Sequence, residues 1–369
     1  MKVLKIALNG FRNYEWETAE FTENTNIICG DNAQGKTNLL EAVYVLSSGR
    51  SFRTRTDREL VGFSYSEAEI LADIFSHGRE QTIRIRLSPG QAKKITVNGV
   101  RKTGTELAET LNVVLFCPDD LNLIKDGAQI RRRMMDQAIS QIRPKYSALL
   151  SEFNRLYEQK TRILKDWKEK PSLLDTLDTF SDGLCRVSAQ MIRYRAAYLA
   201  RLNDAIGSIH AEFSGRGEHL TLQYHTVSTV RDPFANAKEI YYDICDHQEK
   251  HRQAELDSAL CLTGAHKDDV EFLINGVSAR SFASQGQTRT AALSVKLAER
   301  DIILQETGEY PVLLLDDVLS ELDEKRQSFV LNRIGGGQTL ITCCEAADIS
   351  SRTGGKVFFV EGGRIRPCT

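Results

Sequence analysis

The sequence predicts an α/β fold in which the two ends of the chain build one unit and a mainly helical segment is inserted between them. Three observations predict it. Residues 30–37 form a glycine-rich loop set between an apolar strand and a helix. The apolar run Val312-Leu313-Leu314-Leu315 ends in two aspartates, about 280 residues further on. Between Gly127 and Ser214 strand alternation is lost and helical spacing replaces it.

The composition bounds the rest. The chain has 369 residues, 41% of them hydrophobic and 27% charged, with a formal net charge of −2. That length suits about two domains and a core that needs no disulfide or metal staple. No run of about 18 apolar residues is present, so no membrane span is expected. Met1 to Ile6 alternates like a strand rather than a leader, and a cytoplasmic location is expected. The eight cysteines have no Cys-x-x-Cys or zinc spacing and read as buried free thiols. Near-neutral charge excludes a uniform basic coat and leaves room for a local patch.

Taken in order, Val3 to Leu8 alternates, and Asn26-Ile27-Ile28-Cys29 is a short apolar strand ending at Gly30. A helix is expected over 37–46, stopped by Ser47-Ser48-Gly49. Thr82 to Leu87 alternates strictly, as a half-exposed strand does. Asn98-Gly99 and Asn275-Gly276 each sit between apolar-alternating residues, the signature of tight hairpins. Amphipathic helices are expected over 146–170, 191–209 and 236–258, with residues 219–224 as a lone strand. A helix over 288–305 precedes the buried strand at 312–315. A helix over 329–334 precedes a second buried strand at 339–342, and a hairpin closes the chain. The expected division is 1–124 and 259–369 for the two lobes of the discontinuous unit, with 125–258 as the helical insertion.

Gly30-Asp31-Asn32-Ala33-Gln34-Gly35-Lys36-Thr37 matches the phosphate-binding loop Gly-x4-Gly-Lys-[Ser/Thr]. Glycines let the backbone N–H groups turn toward a β-phosphate, Lys36 reaches the β- and γ-phosphates, and the Thr37 hydroxyl suits Mg²⁺. Asn38 follows on the same turn and is counted with the nucleotide-binding residues. Asp316, at the end of its strand, is placed to hold Mg²⁺. Asp317 is placed to orient or deprotonate an attacking water. Ser284-Gln285-Gly286-Gln287 lies about thirty residues before Asp316 and resembles the Ser-Gly-Gly-Gln signature of ABC-type ATPases. Ser320-Glu321-Leu322-Asp323 resembles their D-loop. In such proteins the signature of one subunit closes over the nucleotide of the other, so Ser284, Gly286 and Gln287 are expected to complete a partner's site. The fold class is therefore an ABC-type P-loop ATPase head. Glu41, one turn past Thr37, reads as a packing or pairing residue, and His266 as structural.

Leu8-Asn9-Gly10-Phe11-Arg12-Asn13-Tyr14, the loop 30–37 with Asn38-Leu39-Leu40-Glu41-Ala42, Gly49-Arg50-Ser51-Phe52-Arg53-Thr54 and Ser284 to Thr290 together resemble the RecF family, SMC-like ATPases without the long coiled coil. The resemblance implies ATP-dependent homodimerisation on DNA and weak, DNA-stimulated hydrolysis of ATP to ADP and phosphate. It also implies binding to single-stranded and gapped duplex DNA and to single-strand/double-strand junctions. Joint action with RecO and RecR in loading RecA at gaps follows from it as well. Three positions depart from the family pattern. Phe52 stands for His, and Ala265 and Lys267 stand for Pro and Arg; separately, Cys343 follows Thr342 where transporter-type proteins carry a switch His.

Two basic clusters are candidates for DNA. Residues 125–170 hold twelve basic and six acidic side chains, a net of +6, which fits either a solvated helix face or phosphate contact. Arg50, Arg53, Arg55 and Arg58 could meet DNA, nucleotide or neighbouring carboxylates.

Overall fold

A computed structural model describes residues 1–54, 56–215 and 217–368. It resolves into two compact units, Met1–Leu121 with Ala292–Thr369, and Asn122–Ala291. The first division falls three residues before the expected one. The second falls at 291/292 rather than 258/259, within the helix Gln285–Thr307. The cause is a strand pairing. Residues expected to form a lone strand, observed as Leu220–His225, pair antiparallel along their whole length with Asp269–Ile274. That ladder ties residues 259–291 to the helical unit.

The first unit contains two six-stranded sheets. In one, Thr25–Cys29, Thr339–Cys343, Val312–Leu315 and Val113–Phe116 lie side by side and parallel. Every residue of Thr339–Cys343, Val312–Leu315 and Val113–Phe116 is buried, as strands covered on both faces must be. Lys356–Glu361 and Arg364–Cys368 extend this sheet beyond Thr25–Cys29. The other sheet is antiparallel, in the order Tyr14–Glu20, Lys2–Phe11, Ala68–Ser76, Arg79–Leu87, Lys94–Val97, Val100–Lys102. Asn98 and Gly99, both at positive φ (51° and 79°), make its last tight turn. The helix Lys36–Ser48 buries Leu39, Leu40, Ala42, Val43, Val45 and Leu46 in a core built from both sheets.

The second unit holds the helices Ala128–Ile142, Pro144–Asp166, Leu174–Phe213 and Ala237–Ser258, with a three-stranded sheet. The helix expected over 191–209 runs for 40 residues. Gly183 lies inside this helix, where a Cβ would come 3.4 Å from the Leu156 methyl groups of the helix Pro144–Asp166. Buried ion pairs bind this unit together. Arg195, 2% exposed, donates to Asp136, Asp268, the Ala265 carbonyl and the Tyr146 hydroxyl. Lys160 is fully buried against Glu255 at 2.8 Å. Arg131 donates to both carboxylate oxygens of Asp269 and to three backbone carbonyls. The surface charge of residues 125–170 is accordingly smaller than the sequence count, because Arg131 and Lys160 face inward.

His266 is packed into the helical unit. Its ring packs 4.7 Å from Tyr157 and its Nε2 donates to the Cys261 carbonyl at 2.9 Å. Burial pushes its pKa down to about 4. The unfolded chain therefore takes up a proton first as pH falls below about 6.5, and stability is lost from there down to about 4. Replacing His266→Phe should flatten the fall in thermal midpoint between pH 6.5 and 4; an unchanged profile would mean that this ring does not titrate out of reach of water. The thiols differ from expectation in part. Cys29, Cys185, Cys261 and Cys343 are buried, whereas Cys344, just past the buried strand Thr339–Cys343, and Cys368, at the end of the mostly exposed edge strand Arg364–Cys368, are exposed. Among the described residues no helix is long and apolar enough to cross a membrane.

Candidate nucleotide site

The parallel sheet positions the site by delivering three strand ends to one edge. Thr25–Cys29 hands the chain to Gly30, whose φ of +149° and closeness to Val360 exclude any side chain. A Cβ there would lie 2.2 Å from the Val360 carbonyl oxygen. Ala33 (φ +64°) and Gly35 (φ +122°) wrap the loop back onto the start of the helix Lys36–Ser48. At that end the first backbone N–H groups have no intrahelical acceptor, and the helix dipole favours an anion. Lys36 is 4% exposed, and its ammonium donates to the carbonyls of Gly30 at 2.7 Å and Asp31 at 3.1 Å.

Residues far along the chain meet here. The Thr37 hydroxyl donates to Asp316 Oδ1 at 2.9 Å, and the Thr342 hydroxyl donates to the same oxygen at 3.0 Å. Thr342 Oγ1 in turn accepts the Asp317 amide at 2.8 Å, with Asp317 held at φ +50°. Burial pushes the Asp316 carboxyl up from its ordinary range, the two hydroxyls pull it down, and the charge of Asp317 raises it again. A hydroxyl and a carboxylate converging on one point are the hard oxygen donors that Mg²⁺ takes alongside phosphate oxygens and water, so the residues fit that ion. No group of three or more His, Cys, Asp or Glu suited to a metal exists among the described residues.

Several loop residues are hydrogen-bonded to neighbours in the same unit. The Gln34 side chain accepts the Gly362 amide at 2.7 Å, and its carbonyl accepts from Asn13 Nδ2 and from the Gly363 amide. Asn38 Nδ2 donates to Asn13 Oδ1 at 2.8 Å, while its own Oδ1 accepts from Arg53 at 2.6 Å. Tyr14 donates to the Gly35 carbonyl, and Asn32 Oδ1 accepts from the Cys344 thiol. Glu41 is fully buried and pairs, as the sequence suggested, accepting from Arg12 through both oxygens at 2.7 and 2.8 Å and from Ser51. Arg53 stands 3.7 Å from the same carboxylate. Of the four arginines near it in sequence, Arg55 lies outside the described residues.

The sequence motifs did not assign Asn13, Thr342 or Cys344 to the site. Asn13 is bonded to Gln34 and Asn38, and only the Gly-Phe-Arg-Asn-Tyr run near the start of the chain signals it. Thr342 carries its signal in the one polar hydroxyl at the end of an apolar strand.

Ser284 to Gln287 forms a capping box at the start of Gln285–Thr307. Ser284 Oγ accepts the Gln287 amide at 3.2 Å, and Gln287 Oε1 accepts the Ser284 amide at 2.8 Å. The helix thus begins three residues before the expected start, with Gly286 and Gln287 inside its first turn. Gln287 Nε2 also donates to Glu218 at 2.8 Å.

The family model described as RecF/RecN/SMC N terminal domain matches residues 2–353. The chain is 39% identical over 370 residues to the DNA replication and repair protein RecF of Lachnospira eligens, covering 99% of each chain. It is 39% identical over 358 residues to that of Bacillus subtilis, covering 96% of each. The structure of the recombination mediator protein RecF-ATPrS in RecFOR pathway superposes with a TM-score of 0.92 at 34% identity, covering 100% of this chain and 98% of that one. An Smc head domain from Pyrococcus furiosus, at 18% identity and a TM-score of 0.57, shares the fold. A phosphate loop closed by a carboxylate from the other end of the chain, and a likeness that runs the full length, lead to one assignment: the chain belongs to the RecF family, the SMC-like ABC-type ATPases of DNA replication and repair.

Proposed function

We propose that this chain binds ATP and Mg²⁺ at residues 30–38 and 316–317, that bound ATP joins two copies on DNA, and that slow hydrolysis releases them. The observation that carries the reading is the 2.9 Å contact between Thr37 and Asp316. In this reading the loop amides and Lys36 hold the β- and γ-phosphates. Thr37 and Asp316 would hold Mg²⁺, which supplies positive charge against the phosphate oxygens. Asp317 would orient the attacking water and take its proton. Ser284, Gly286 and Gln287 of a second copy would close over the γ-phosphate, the capped helix N-terminus adding its dipole. The DNA would be a gapped duplex or a single-strand/double-strand junction, with RecO and RecR as partners in loading RecA. Family membership and the likeness to a mediator of the RecFOR pathway support those partners. The eight exposed basic residues of 125–170 (Lys125, Arg133, Lys145, Arg155, Arg162, Lys165, Lys168 and Lys170) support phosphate contact.

Sedimentation velocity with ATP tests the dimer. Wild type should shift to a dimer, and Ser284→Arg should remain a monomer while still binding ATP, because the bulky cation removes the cap and blocks close approach. Equal dimerisation of both proteins would rule out a composite site.

A further inference from the structure

The antiparallel sheet of the first unit carries a charge concentration that the functional motifs do not use. Residues 79–102 hold seven basic side chains and one acidic one, a net of +6 within 24 residues of a chain whose total is −2. The pleat sorts them. Ile83, Ile85, Leu87, Ile95 and Val97 point into the core, so Arg84, Arg86, Lys94 and Thr96 point out. The register sets Lys94 beside Arg86, Thr96 beside Arg84, and Arg101 beside Thr96. Four cations therefore share one face of three adjacent strands spaced about 4.8 Å apart.

Their neutralisation is incomplete. Glu69, opposite Arg86 in the next strand, pairs with Arg86 and lies 3.9 Å from Arg84. Lys94 and Arg101 are exposed and have no ion-pair partner among the described residues. Protection of a sheet edge does not account for the cluster. Charges that guard an edge belong on the edge strand, here Val100–Lys102, whereas Arg84 and Arg86 lie two strands further in.

We infer that this face, built on Arg84, Arg86, Lys94 and Arg101, is a docking surface for the phosphate backbone of duplex DNA. Charge complementarity selects a polyanion. The absence of any aromatic side chain from the outward positions of these three strands disfavours a stacking platform for unpaired bases and favours a backbone contact. Trp16, in line with this row of residues, lies three strands beyond Arg86 at the opposite edge of the sheet. Such contact is independent of sequence and sensitive to salt. The inference rests on the DNA-binding reading above and specifies where that DNA lies.

The test is fluorescence anisotropy of a labelled duplex with the full chain and ATP across a salt series, comparing wild type with the combined variant Arg84→Gln, Arg86→Gln, Lys94→Gln and Arg101→Gln. The plot of log affinity against log salt should become less steep by about 3 to 4, and affinity at ~0.1 M salt should fall about tenfold or more. ATP binding should be unchanged, because none of the four touches the nucleotide site. A control carrying Arg84→Lys, Arg86→Lys and Arg101→Lys, which keeps every charge, should retain the wild-type slope. If the control loses it as well, charge is not the cause and the inference fails. An unaltered slope in the glutamine variant overturns this face as the contact, and a slope change on single strands alone overturns duplex as its occupant. Wild type that binds no DNA at any salt would instead overturn the DNA-binding reading itself.

Discussion

Lys36→Met should lose ATP binding by a factor of about a hundred or more, measured by calorimetric titration. The ammonium sits inside the curve of the loop, donating to the Gly30 and Asp31 carbonyls at 2.7 and 3.1 Å, and a phosphate would draw it from those acceptors. A charge-assisted hydrogen bond contributes about 1.5–3 kcal/mol, and two of them to the β- and γ-phosphates give the hundredfold figure or better. Methionine is flexible, similar in length and a good helix former, so the helix Lys36–Ser48 and its buried face should survive. The thermal midpoint without nucleotide should move little, and the rise that ATP gives wild type should vanish. Normal hydrolysis by Lys36→Met would refute the phosphate-loop assignment.

The second large effect concerns stability rather than chemistry. Arg195→Met should destabilise the helical unit by about 3–5 kcal/mol, since it removes the cation shared by Asp136 and the fully buried Asp268. Burial already pushes the Asp268 carboxyl up to about 6, against the pull of Arg195 and the Tyr224 hydroxyl. Without the arginine that carboxylate has only the phenol. Adding Asp268→Asn should recover part of the loss, because the uncompensated charge goes with it. The chain has two tryptophans, Trp16 in the first unit and Trp167 in the second, so a Trp16→Phe background makes fluorescence report on the helical unit alone. Denaturant midpoints in that background, equal for Arg195→Met and its parent, would show that the pair is not a net support of the fold.

What the sequence disclosed was what depends on neighbours along the chain. The phosphate loop is contiguous, and its glycines are required by local turns. Asp316 and Asp317 end a run of four apolar residues, and covering both faces of a strand leaves that mark. The discontinuous ATPase unit followed from placing those two motifs in one sheet. Features that depend on distant partners were hidden. Leu220–His225 looked solitary because its mate lies about fifty residues later, beyond a helix. Lys160 and Arg131 counted as surface charge because Glu255 and Asp269 stand 95 and 138 residues away. Residues 79–102 showed strand alternation at once, but four cations on one face became visible only when the strands were set in register. The helix Leu174–Phe213 runs 17 residues ahead of its expected start at 191, and its buried face there (Leu177, Leu184, Cys185, Val187 and Ala189) includes small residues that weaken an apolar pattern.

The pairing of Thr25–Cys29 has a consequence for how the protein is made. Its two neighbours in the sheet, Thr339–Cys343 and Lys356–Glu361, both come from the last thirty-odd residues. On the ribosome the strand that bears the loop emerges first and must wait for some 310 residues, roughly 15–60 s at ~5–20 residues per second, with neither edge paired. A nascent or truncated chain displays the glycine loop without Asp316, Thr342 or the sheet that holds them. An unfinished copy therefore lacks the Asp316 oxygen that, in the reading proposed above, completes the Mg²⁺ site, and the Thr342 hydroxyl that donates to it.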